Sequence, residues 1–404
     1  MYASAKNPFT PTFGRIPAQL VGRDLLLSDL FGALANGPGD PNLSTLISGA
    51  RGTGKTALMN YVASEAVGYG WVSSSVSAVP GMLEDLFQRA LESADLSLSA
   101  TRLSSFGLGP MNVSWNYTPG FEPNWRTRMN RLLDQLSERE LGLLITVDEV
   151  KATLPDMVQL ASIYQHFVGE NRRVGLLMAG LPYDVSALLG NDDVSFLRRS
   201  VQHVLTNVSL ADAELALRRT VEDAGRSISE EALRLAARCS GGYPYLMQLI
   251  GFRMWAVDVR SGEISKHDAE DGVRLARLDF ERQVLAATYR DFSEKDIRFL
   301  ESMLPDRGPS RLADIARRMG VGSNYASTYK SRLLGRGVIG ERGAGRLGFE
   351  LPYLRDYVER MRDERGEGGA LVSGSGPCGL PSGCPSPPYR RMKLSSSSGF
   401  SRSA

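Results

Sequence analysis

The sequence predicts an α/β fold, in which a parallel β-sheet carries helices on both faces and is followed by a domain made only of helices. Three observations predict it. Segments with strand and helix periods alternate from about residue 20 to residue 210, which is typical of parallel sheets with crossover helices. The periodic segments from 211 to 291 repeat with the period of a helix. A glycine-rich loop at residues 49–54 separates an apolar run from an amphipathic one.

The first predicted domain spans residues 20–210, after a polar, proline-rich arm at residues 1–19. It opens with a turn and an amphipathic helix that ends at Gly37. Two runs, LLITVDEV and VGLLMAGL, are apolar almost throughout, as expected of central strands buried on both faces. The other predicted strands are LSTLIS, WVSSSVSA and VQHVLTNVSL, and the helices between the strands are KTALMNYVASEAVGYG, GMLEDLFQRALESA, WRTRMNRLLDQLSERE, DMVQLASIYQHFVGE and part of VSALLGNDDVSFLRRS.

Four other regions have distinct patterns. Residues 101–124 have weak periodicity and many Gly, Pro and Asn residues, which predicts an insertion, for which a hairpin is one open form. Residues 211–291 are predicted to form a helical lid domain, and no strands are expected after residue 210. Residues 292–360 form a third unit of short helices and a glycine-rich turn. Residues 364–404 are rich in Gly, Ser and Pro and are expected to be disordered, because they cannot bury enough apolar surface to offset their ordering entropy.

Net charge and hydropathy exclude several classes of function. The formal charge is only +2, so a nucleic-acid interaction would have to come from a local patch rather than from the whole molecule. No apolar run approaches the roughly 20 residues that a membrane span needs. The first residues lack a basic region followed by an apolar one, so no signal peptide is expected. A cytoplasmic protein without a membrane partner is predicted.

The loop after the first strand matches the pattern G-x-x-x-x-G-K-[ST] through Gly49, Gly54, Lys55 and Thr56. Glycines let the backbone approach phosphate oxygens closely, and successive N–H groups at a helix N-terminus form an anion site. Lys55 is expected to reach the β- and γ-phosphates, and the Thr56 hydroxyl to bind Mg²⁺. A strand before the loop and a helix after it favour a P-loop NTPase over a chance glycine turn. The predicted nucleotide contacts in this loop are Gly49, Ala50, Arg51, Gly52, Thr53, Gly54, Lys55, Thr56 and Ala57.

A pair of carboxylates ends the buried run LLITVDEV. Asp148 is expected to hold Mg²⁺ through water, and Glu149 to polarise the water that attacks the γ-phosphate. Two acids that merely solvate a strand end are the alternative. Together with the loop, the pair predicts an ATPase that uses ATP and Mg²⁺.

The C-terminal unit is predicted as helix, turn, helix and a β-hairpin, which resembles a winged helix-turn-helix domain. Ser323 or Asn324 is expected to be the N-cap of the second helix, NYASTYKSRLL. From 311 to 346, eight Arg and Lys residues face two acidic ones, a local excess of +6. Such a patch favours double-stranded DNA as a partner, although winged helices also dock proteins. The residues expected to contact DNA are Tyr325, Thr328, Tyr329, Lys330, Arg332, Arg336 and Arg342.

The segments VGRDLLLSDL, GARGTGKT, LLITVDEV and SGGYPYLMQLIG, in this order, resemble those of AAA+ ATPases of the archaeal-ATPase, initiator-like and STAND type. The resemblance covers residues 15–355. It implies that Leu20, Val21 and Gly22 lie beside adenine. It also implies that Pro244 contacts the nucleotide, as the proline of the STAND motif does.

The chain departs from that pattern at the strand GLLMAGLP, where many members have a polar sensor and this chain has Met178, Ala179 and Gly180. The lid arginine of many members is also absent from SGGYPYL. Both departures imply slow turnover. By resemblance, Arg198 or Arg199 acts as an arginine finger on a neighbouring copy, which would require an ATP-dependent oligomer; a solvated basic helix end is the alternative.

Two functions from different classes follow. The first is an AAA+ ATPase that hydrolyses ATP with Mg²⁺ and couples the nucleotide to DNA or partner binding through its C-terminal domain. The second is a STAND-like switch that binds ATP with little turnover and docks a protein partner. A third hypothesis, a P-loop kinase acting on a small molecule, lacks an evident acceptor site.

Overall fold

The computed structural model describes residues 6–12, 14–104, 124–343 and 345–366, with the side chains of 95–104 and 366 left aside. Most of the predicted insertion therefore lies outside the described residues. Its first four residues extend a helix, and Asn124 caps the next one by accepting from the backbone N–H of Thr127. Residues 364–366 end a helix rather than begin a tail, and the rest of the predicted tail lies outside the described residues.

The sheet of the first domain has five parallel strands in the order β2–β3–β4–β1–β5. Because all the strands run the same way, their carboxyl ends lie at one edge of the sheet. β4 is buried along its whole length and β3 along all but its last residue, as their apolar sequences predict. The strands are β1 (Ser44–Gly49), β2 (Trp71–Ser77), β3 (Gly142–Asp148), β4 (Val174–Gly180) and β5 (Val201–Leu205).

Helices cover both faces of this sheet. α1 and α2 pack with one face, and α3 to α6 pack with the other, each around its own buried apolar cluster. Short 3₁₀ turns lie at 41–43, 66–69 and 192–199. The helices are α1 (Asp24–Asn36), α2 (Lys55–Glu65), α3 (Met82–Ser104), α4 (Trp125–Ser137), α5 (Pro155–Gly169) and α6 (Pro182–Gly190).

The helical lid follows, with one departure from the prediction. Two-residue strands, β6 (Ser227–Ile228) and β7 (Glu263–Ile264), pair in parallel within it, so the expectation that strands stop after residue 210 is wrong at this point. Runs this short carry no periodic signal from which to predict them. The helices are α7 (Leu210–Asp223), α8 (Glu230–Ser240), α9 (Pro244–Val257), α10 (Lys266–Phe280) and α11 (Ala286–Arg290), with a π-helical turn at Glu281–Leu285.

The C-terminal unit contains four helices and a small antiparallel sheet in the order β8–β10–β9. The predicted hairpin is formed by β9 and β10. The predicted N-cap is wrong: Gly322 occupies the N-cap position of α14, and no side chain caps this helix. The elements are α12 (Glu294–Met303), β8 (Ser310–Arg311), α13 (Leu312–Met319), α14 (Ser323–Gly335), β9 (Ile339–Glu341), β10 (Arg346–Phe349) and α15 (Leu354–Gly366).

One hydrophobic cluster runs without interruption through the lid and the C-terminal unit. Ion pairs reinforce the junction, because Arg277 of α10 contacts Asp356 of α15 at 3.2 Å and Arg360 contacts Glu281 at 2.9 Å. The Tyr353 hydroxyl also donates to the carbonyl of Cys239 at 2.6 Å. The two units are therefore packed as one body, which touches the first domain where α14 meets α6.

Candidate nucleotide site

The glycine-rich loop adopts a conformation that its glycines make possible. Gly52 and Gly54 have φ angles of +74° and +91°, in the left-handed region that side chains disfavour. A Cβ atom on Gly52 would lie 2.1 Å from the hydroxyl of Tyr243, and one on Gly49 would lie 2.7 Å from the carbonyl of Leu205. The loop is thus both turned and tightly packed, and α2 begins directly after Gly54.

Lys55, the first residue of α2, points back into this loop. Its Nζ donates to the carbonyls of Gly49 and Ala50 at 2.7 and 2.8 Å. Burial lowers the pKa of this ammonium group to about 8, although the negative charge of Asp148 opposes the shift. Among the described residues, this ammonium group donates to neutral carbonyls and forms no ion pair with a carboxylate. Burying a charge without an opposite charge beside it is unfavourable, so an anion bound here would stabilise it.

Asp148 and Thr56 come together although 92 residues separate them. The Thr56 hydroxyl donates directly to the Asp148 carboxylate, and Asp148 also accepts from the backbone N–H of Glu149 at 2.8 Å. Mg²⁺ in phosphate sites takes one or two protein oxygens and completes its shell with phosphate oxygens and waters. The hydroxyl and the carboxylate therefore form a donor set that fits this metal.

Glu149 lies at the same sheet edge, with an exposed side chain. Its φ angle is +56°, which is uncommon for a residue with a side chain and is a form of strain found at functional sites. The end of the adjacent strand β4 offers no polar group, because Met178 and Ala179 are fully buried. Gly180 leaves room for Val150, whose Cγ2 would lie 2.6 Å from a Cβ at that position.

The lid touches the loop through the start of α9. The Tyr243 hydroxyl donates to the carbonyl of Arg51 at 2.7 Å, and the Tyr245 N–H donates to the carbonyl of Gly52 at 3.3 Å. Burial raises the pKa of Tyr243, so its hydroxyl remains a donor across the physiological range. Pro244 is the first residue of α9 and lies between these two contacts.

A cavity of about 420 Å³ opens between the loop, the arm, the lid and the C-terminal unit. Leu20 and Val21, predicted beside adenine, line it, as does Pro244. Gly22 lies next to them with a φ angle of +65°. Five cations and one carboxylate line the cavity, which favours an anionic ligand; they are Arg15, Arg23, Arg51, Lys55, Arg336 and Asp291.

The arm contributes to this cavity, which the sequence did not indicate. Phe9 is buried against Gly251 of α9, and the N–H of Thr10 donates to Gln248 at 3.0 Å. Farther along, the carbonyl of Gly14 accepts from Asn60 of α2 at 2.8 Å. The arm thus bridges lid and loop. Phe9 stands in a proline-rich segment that has no periodic pattern from which its position could be predicted.

Arg198 and Arg199 lie away from the glycine-rich loop, in the turn before β5. Arg198 pairs with Asp192 at 3.0 Å and donates to the carbonyl of Leu189 at 2.8 Å. Arg199 is exposed. Within the part of the chain that the structure describes, Arg199 forms no ion pair with a carboxylate, whereas Arg198 does.

The basic residues predicted to contact DNA are largely engaged within the C-terminal unit. The carboxylates that pair with them lie mostly outside 311–346, so the local excess of +6 overstates the uncompensated charge. The pairs formed by the predicted residues are Lys330–Glu341, Arg332–Asp296 and Arg342–Glu350. Two other arginines counted in 311–346 also form pairs, Arg318–Asp306 and Arg317–Asp314. Arg336 does not lie on an outer face of α14: it lines the cavity beside the glycine-rich loop.

The N-terminal half of α14 remains open to solvent. Tyr325 and Thr328 are exposed. The hydroxyls of Tyr325 and Tyr329 lie 3.1 Å apart, with the ammonium of Lys295 beside that of Tyr325. The C-terminal half, by contrast, packs on α6, because Gly335 faces Tyr183 and Gly337 faces Leu181. The first two turns of the predicted recognition helix are therefore accessible, and farther along Arg332 is exposed as well, although it pairs with Asp296.

Within the described part of the chain, no helix is long and apolar enough to cross a membrane. Nor do three or more His, Cys, Asp or Glu residues of that part cluster to hold a metal. Any metal at Thr56 and Asp148 would therefore depend on ligands supplied by a nucleotide or water.

A family model described as a domain of unknown function (DUF8462) matches residues 282–358, which include most of the C-terminal unit. No curated protein matches the chain significantly. Among solved structures, the chain is similar to the ORC2 protein of Aeropyrum pernix in its ADPNP–ADP complexes. The identity is 14% and the TM-score 0.59, with 89% of this chain and 98% of that chain covered.

The Walker-type ATPase paby2304 of Pyrococcus abyssi is similar at 14% identity and a TM-score of 0.62, covering 84% of this chain and 96% of that chain. The ADP form of the Aeropyrum ORC2 protein matches at 15% identity and a TM-score of 0.53, over 88% and 97% of the two chains. Similarity at this level of identity concerns the fold. The chain shares the fold of these structures, a parallel five-stranded sheet with helices on both faces and a helical C-terminal region, as its sequence predicts.

Proposed function

We propose that this protein binds ATP with Mg²⁺ at the loop Gly49–Thr56 and hydrolyses it slowly. The observation that carries the proposal is the contact between Thr56 and Asp148, which brings the two halves of a metal–phosphate site together beside the turned loop. The net positive lining of the adjoining cavity supports an anionic ligand of nucleotide size.

Lys55 is the group that would respond to the phosphates. In binding, its ammonium exchanges the carbonyls of Gly49 and Ala50 for phosphate oxygens, a stronger charge-assisted contact. The loop N–H groups and the N-terminus of α2 face the same anion. Leu20, Val21 and Pro244 are proposed to contact the base and sugar side of the nucleotide, since they line the same cavity.

Glu149 is proposed to orient and polarise the attacking water, because it follows the metal-binding carboxylate at the sheet edge. Mg²⁺, when bound with ATP, would neutralise charge on the phosphate oxygens. The end of β4 adds no polar side chain to position that water. Slow hydrolysis is the expected consequence.

The lid and the C-terminal unit share one core, so a movement of the lid would carry the C-terminal unit with it. Tyr243 and Tyr245 connect the lid to the loop that holds the phosphates. We propose that nucleotide binding is coupled through these contacts to the position of α14 on α6. This arrangement suits a nucleotide-controlled switch as well as an ATPase.

Duplex DNA is proposed as the partner of the C-terminal unit, with a protein partner as the alternative. The exposed first turns of α14 favour it, because Tyr325, Thr328 and Lys295 present hydroxyl and ammonium donors together, and phosphate oxygens accept from such groups. The internal ion pairs lower the number of free cations, so moderate, salt-sensitive binding is expected.

Self-association is proposed for hydrolysis in trans. Arg199 is exposed and is not held by a carboxylate in the described residues, so it is the better candidate for an arginine finger than Arg198. Light scattering with and without ATP and Mg²⁺ tests this. A monomer under both conditions would contradict a role in trans.

Titration calorimetry with ATP and Mg²⁺ tests the binding proposal. Lys55→Ala should lose at least about a hundredfold in affinity, since a buried charge-assisted contact to phosphate is removed. Lys266→Ala is the matched control, because that lysine lies at the start of α10 in the lid, and it should bind like the wild type. Equal affinities for all three proteins would contradict the assignment of the loop.

A further inference from the structure

Arg336 holds an unusual position for a residue of the C-terminal unit. It is the C-cap residue of α14, and its side chain lines the same cavity as Gly52, Lys55 and Thr56. The guanidinium donates to the backbone carbonyl of Asp291 at 2.8 Å and lies 5.9 Å from the ring centroid of Phe292. In the described residues it has no carboxylate partner, unlike Lys330, Arg332 and Arg342 nearby.

The neighbour of Arg336 contacts the glycine-rich loop. Gly337 has a φ angle of +65°, and a Cβ atom there would lie 3.1 Å from Leu181 and 3.8 Å from Cγ of Arg51. Any side chain at 337 would press on α6 and approach the loop. The backbone after α14 is therefore held close to Arg51, and the guanidinium of Arg336 enters the cavity from this side.

Glu149, the carboxylate proposed to act in hydrolysis, lies on this same side of the loop. Leu181, which Gly337 approaches, follows Gly180 at the end of β4. The segment after β3 is bonded to that strand end, because the N–H of Val150 donates to the carbonyl of Ala179 at 2.9 Å. Glu149, the residue before Val150, therefore lies on the side of the loop that Gly337 approaches. Since Glu149 is placed to polarise the water that attacks the terminal phosphate, Arg51 and Gly337 lie at the terminal-phosphate end.

We infer that Arg336 is a cis-acting ligand of the terminal phosphate, supplied by the C-terminal unit of the same chain. The inference rests on the proposed function. A triphosphate would offer Arg336 an anion in place of the carbonyl of Asp291, and guanidinium groups bind phosphate bidentately. A diphosphate lacks this end, so Arg336 discriminates between ATP and ADP. The contact strengthens the packing of α14 on α6 only in the triphosphate state.

Calorimetry of the full chain with the non-hydrolysable analogue ADPNP and with ADP, each with Mg²⁺, tests this. Arg336→Ala should bind ADPNP about ten- to a hundredfold more weakly, the range expected for one lost charge-assisted contact. Its affinity for ADP should stay within about twofold of the wild type, because the lost contact is absent with ADP. Arg346→Ala, at the exposed first residue of β10, is the matched control and should change neither affinity.

Arg336→Lys keeps a charge but not the bidentate fork, and it should recover part of the discrimination. If Arg336→Ala does not fold, Arg336→Lys takes its place in the same measurement. An equal loss for both nucleotides in a folded variant would assign Arg336 to packing of the fold and overturn the inference, and so would no loss for either. Failure of the wild type to bind any nucleotide would instead overturn the proposed function.

Discussion

The hydroxyl of Tyr243 donates a 2.7 Å hydrogen bond to the backbone carbonyl of Arg51, joining the lid to the glycine-rich loop. The ring edge also occupies the space that a Cβ on Gly52 would need. These contacts hold the start of α9 against the loop.

Tyr243→Phe keeps the ring and removes the hydrogen bond, leaving the carbonyl of Arg51 without this donor. The free energy of unfolding should fall by about 1 kcal/mol, and ATP affinity should fall several-fold because the loop is less restrained. Tyr245→Phe is the control, since its half-buried hydroxyl donates to Gln283 at 3.3 Å and not to the carbonyl of Arg51. Chemical denaturation and calorimetry measure both effects. If the variant has the same free energy of unfolding and the same ATP affinity as the wild type, the lid does not restrain the loop.

ATP affinity should depend on pH through Lys55. Its pKa is about 8 in the free protein, and bound phosphate favours the charged form and raises this pKa. Below pH 7 the group is charged in both states and affinity is constant. Above pH 8 binding must take up a proton, so affinity falls with rising pH, up to about tenfold per pH unit.

Calorimetry of ATP binding from pH 6.5 to 9.5 measures this dependence. Lys55→Arg is the control, because a guanidinium stays charged across the range, and its affinity should be flat. The same decline in both proteins would mean that another group titrates.

Glu149→Gln should retain ATP binding and lose hydrolysis. The amide keeps the size of the side chain but cannot polarise water as a carboxylate does. A loss of about a hundredfold or more in the single-turnover rate is expected for removal of a general base. Asp148→Asn should differ, because it should weaken the dependence of binding on Mg²⁺. An unchanged single-turnover rate in Glu149→Gln would leave the protein as a switch whose hydrolysis does not use this residue.

DNA binding by the full chain should depend on the exposed turns of α14. Tyr325→Ala removes a hydroxyl and a ring beside Lys295 and should weaken binding of duplex DNA several-fold at low salt. Tyr183→Ala, on the α6 side of α14, is a control that leaves this exposed face intact. Fluorescence anisotropy at two salt concentrations measures the effect. Absence of wild-type binding at low salt would favour a protein partner.

The strands and helices near the site follow directly from local patterns. β3 and β4 are continuous apolar runs, and the glycine spacing predicts the turn between β1 and α2. The fold was therefore accessible from the sequence, and so was the meeting of Asp148 with Thr56, because parallel strands bring their carboxyl ends to one edge.

Contacts between distant segments could not be predicted in this way. Phe9 enters the lid core from a segment without periodicity, and Tyr243 meets Arg51 across 192 residues. Counting charge within 311–346 also misled, because Asp296, Asp306 and Glu350 lie outside the window yet pair with its arginines. Arg336 belongs to a basic segment in sequence but lines the nucleotide cavity in space.

A crystal structure of the full chain with ADPNP and Mg²⁺ would show directly whether the glycine-rich loop and Lys55 bind the phosphates. We predict that Nζ of Lys55 leaves the carbonyls of Gly49 and Ala50 for the β- and γ-phosphates, with the metal bound at Thr56 and beside Asp148. A nucleotide bound elsewhere, with Lys55 still donating to the carbonyls of Gly49 and Ala50, would rule out this loop as the phosphate site.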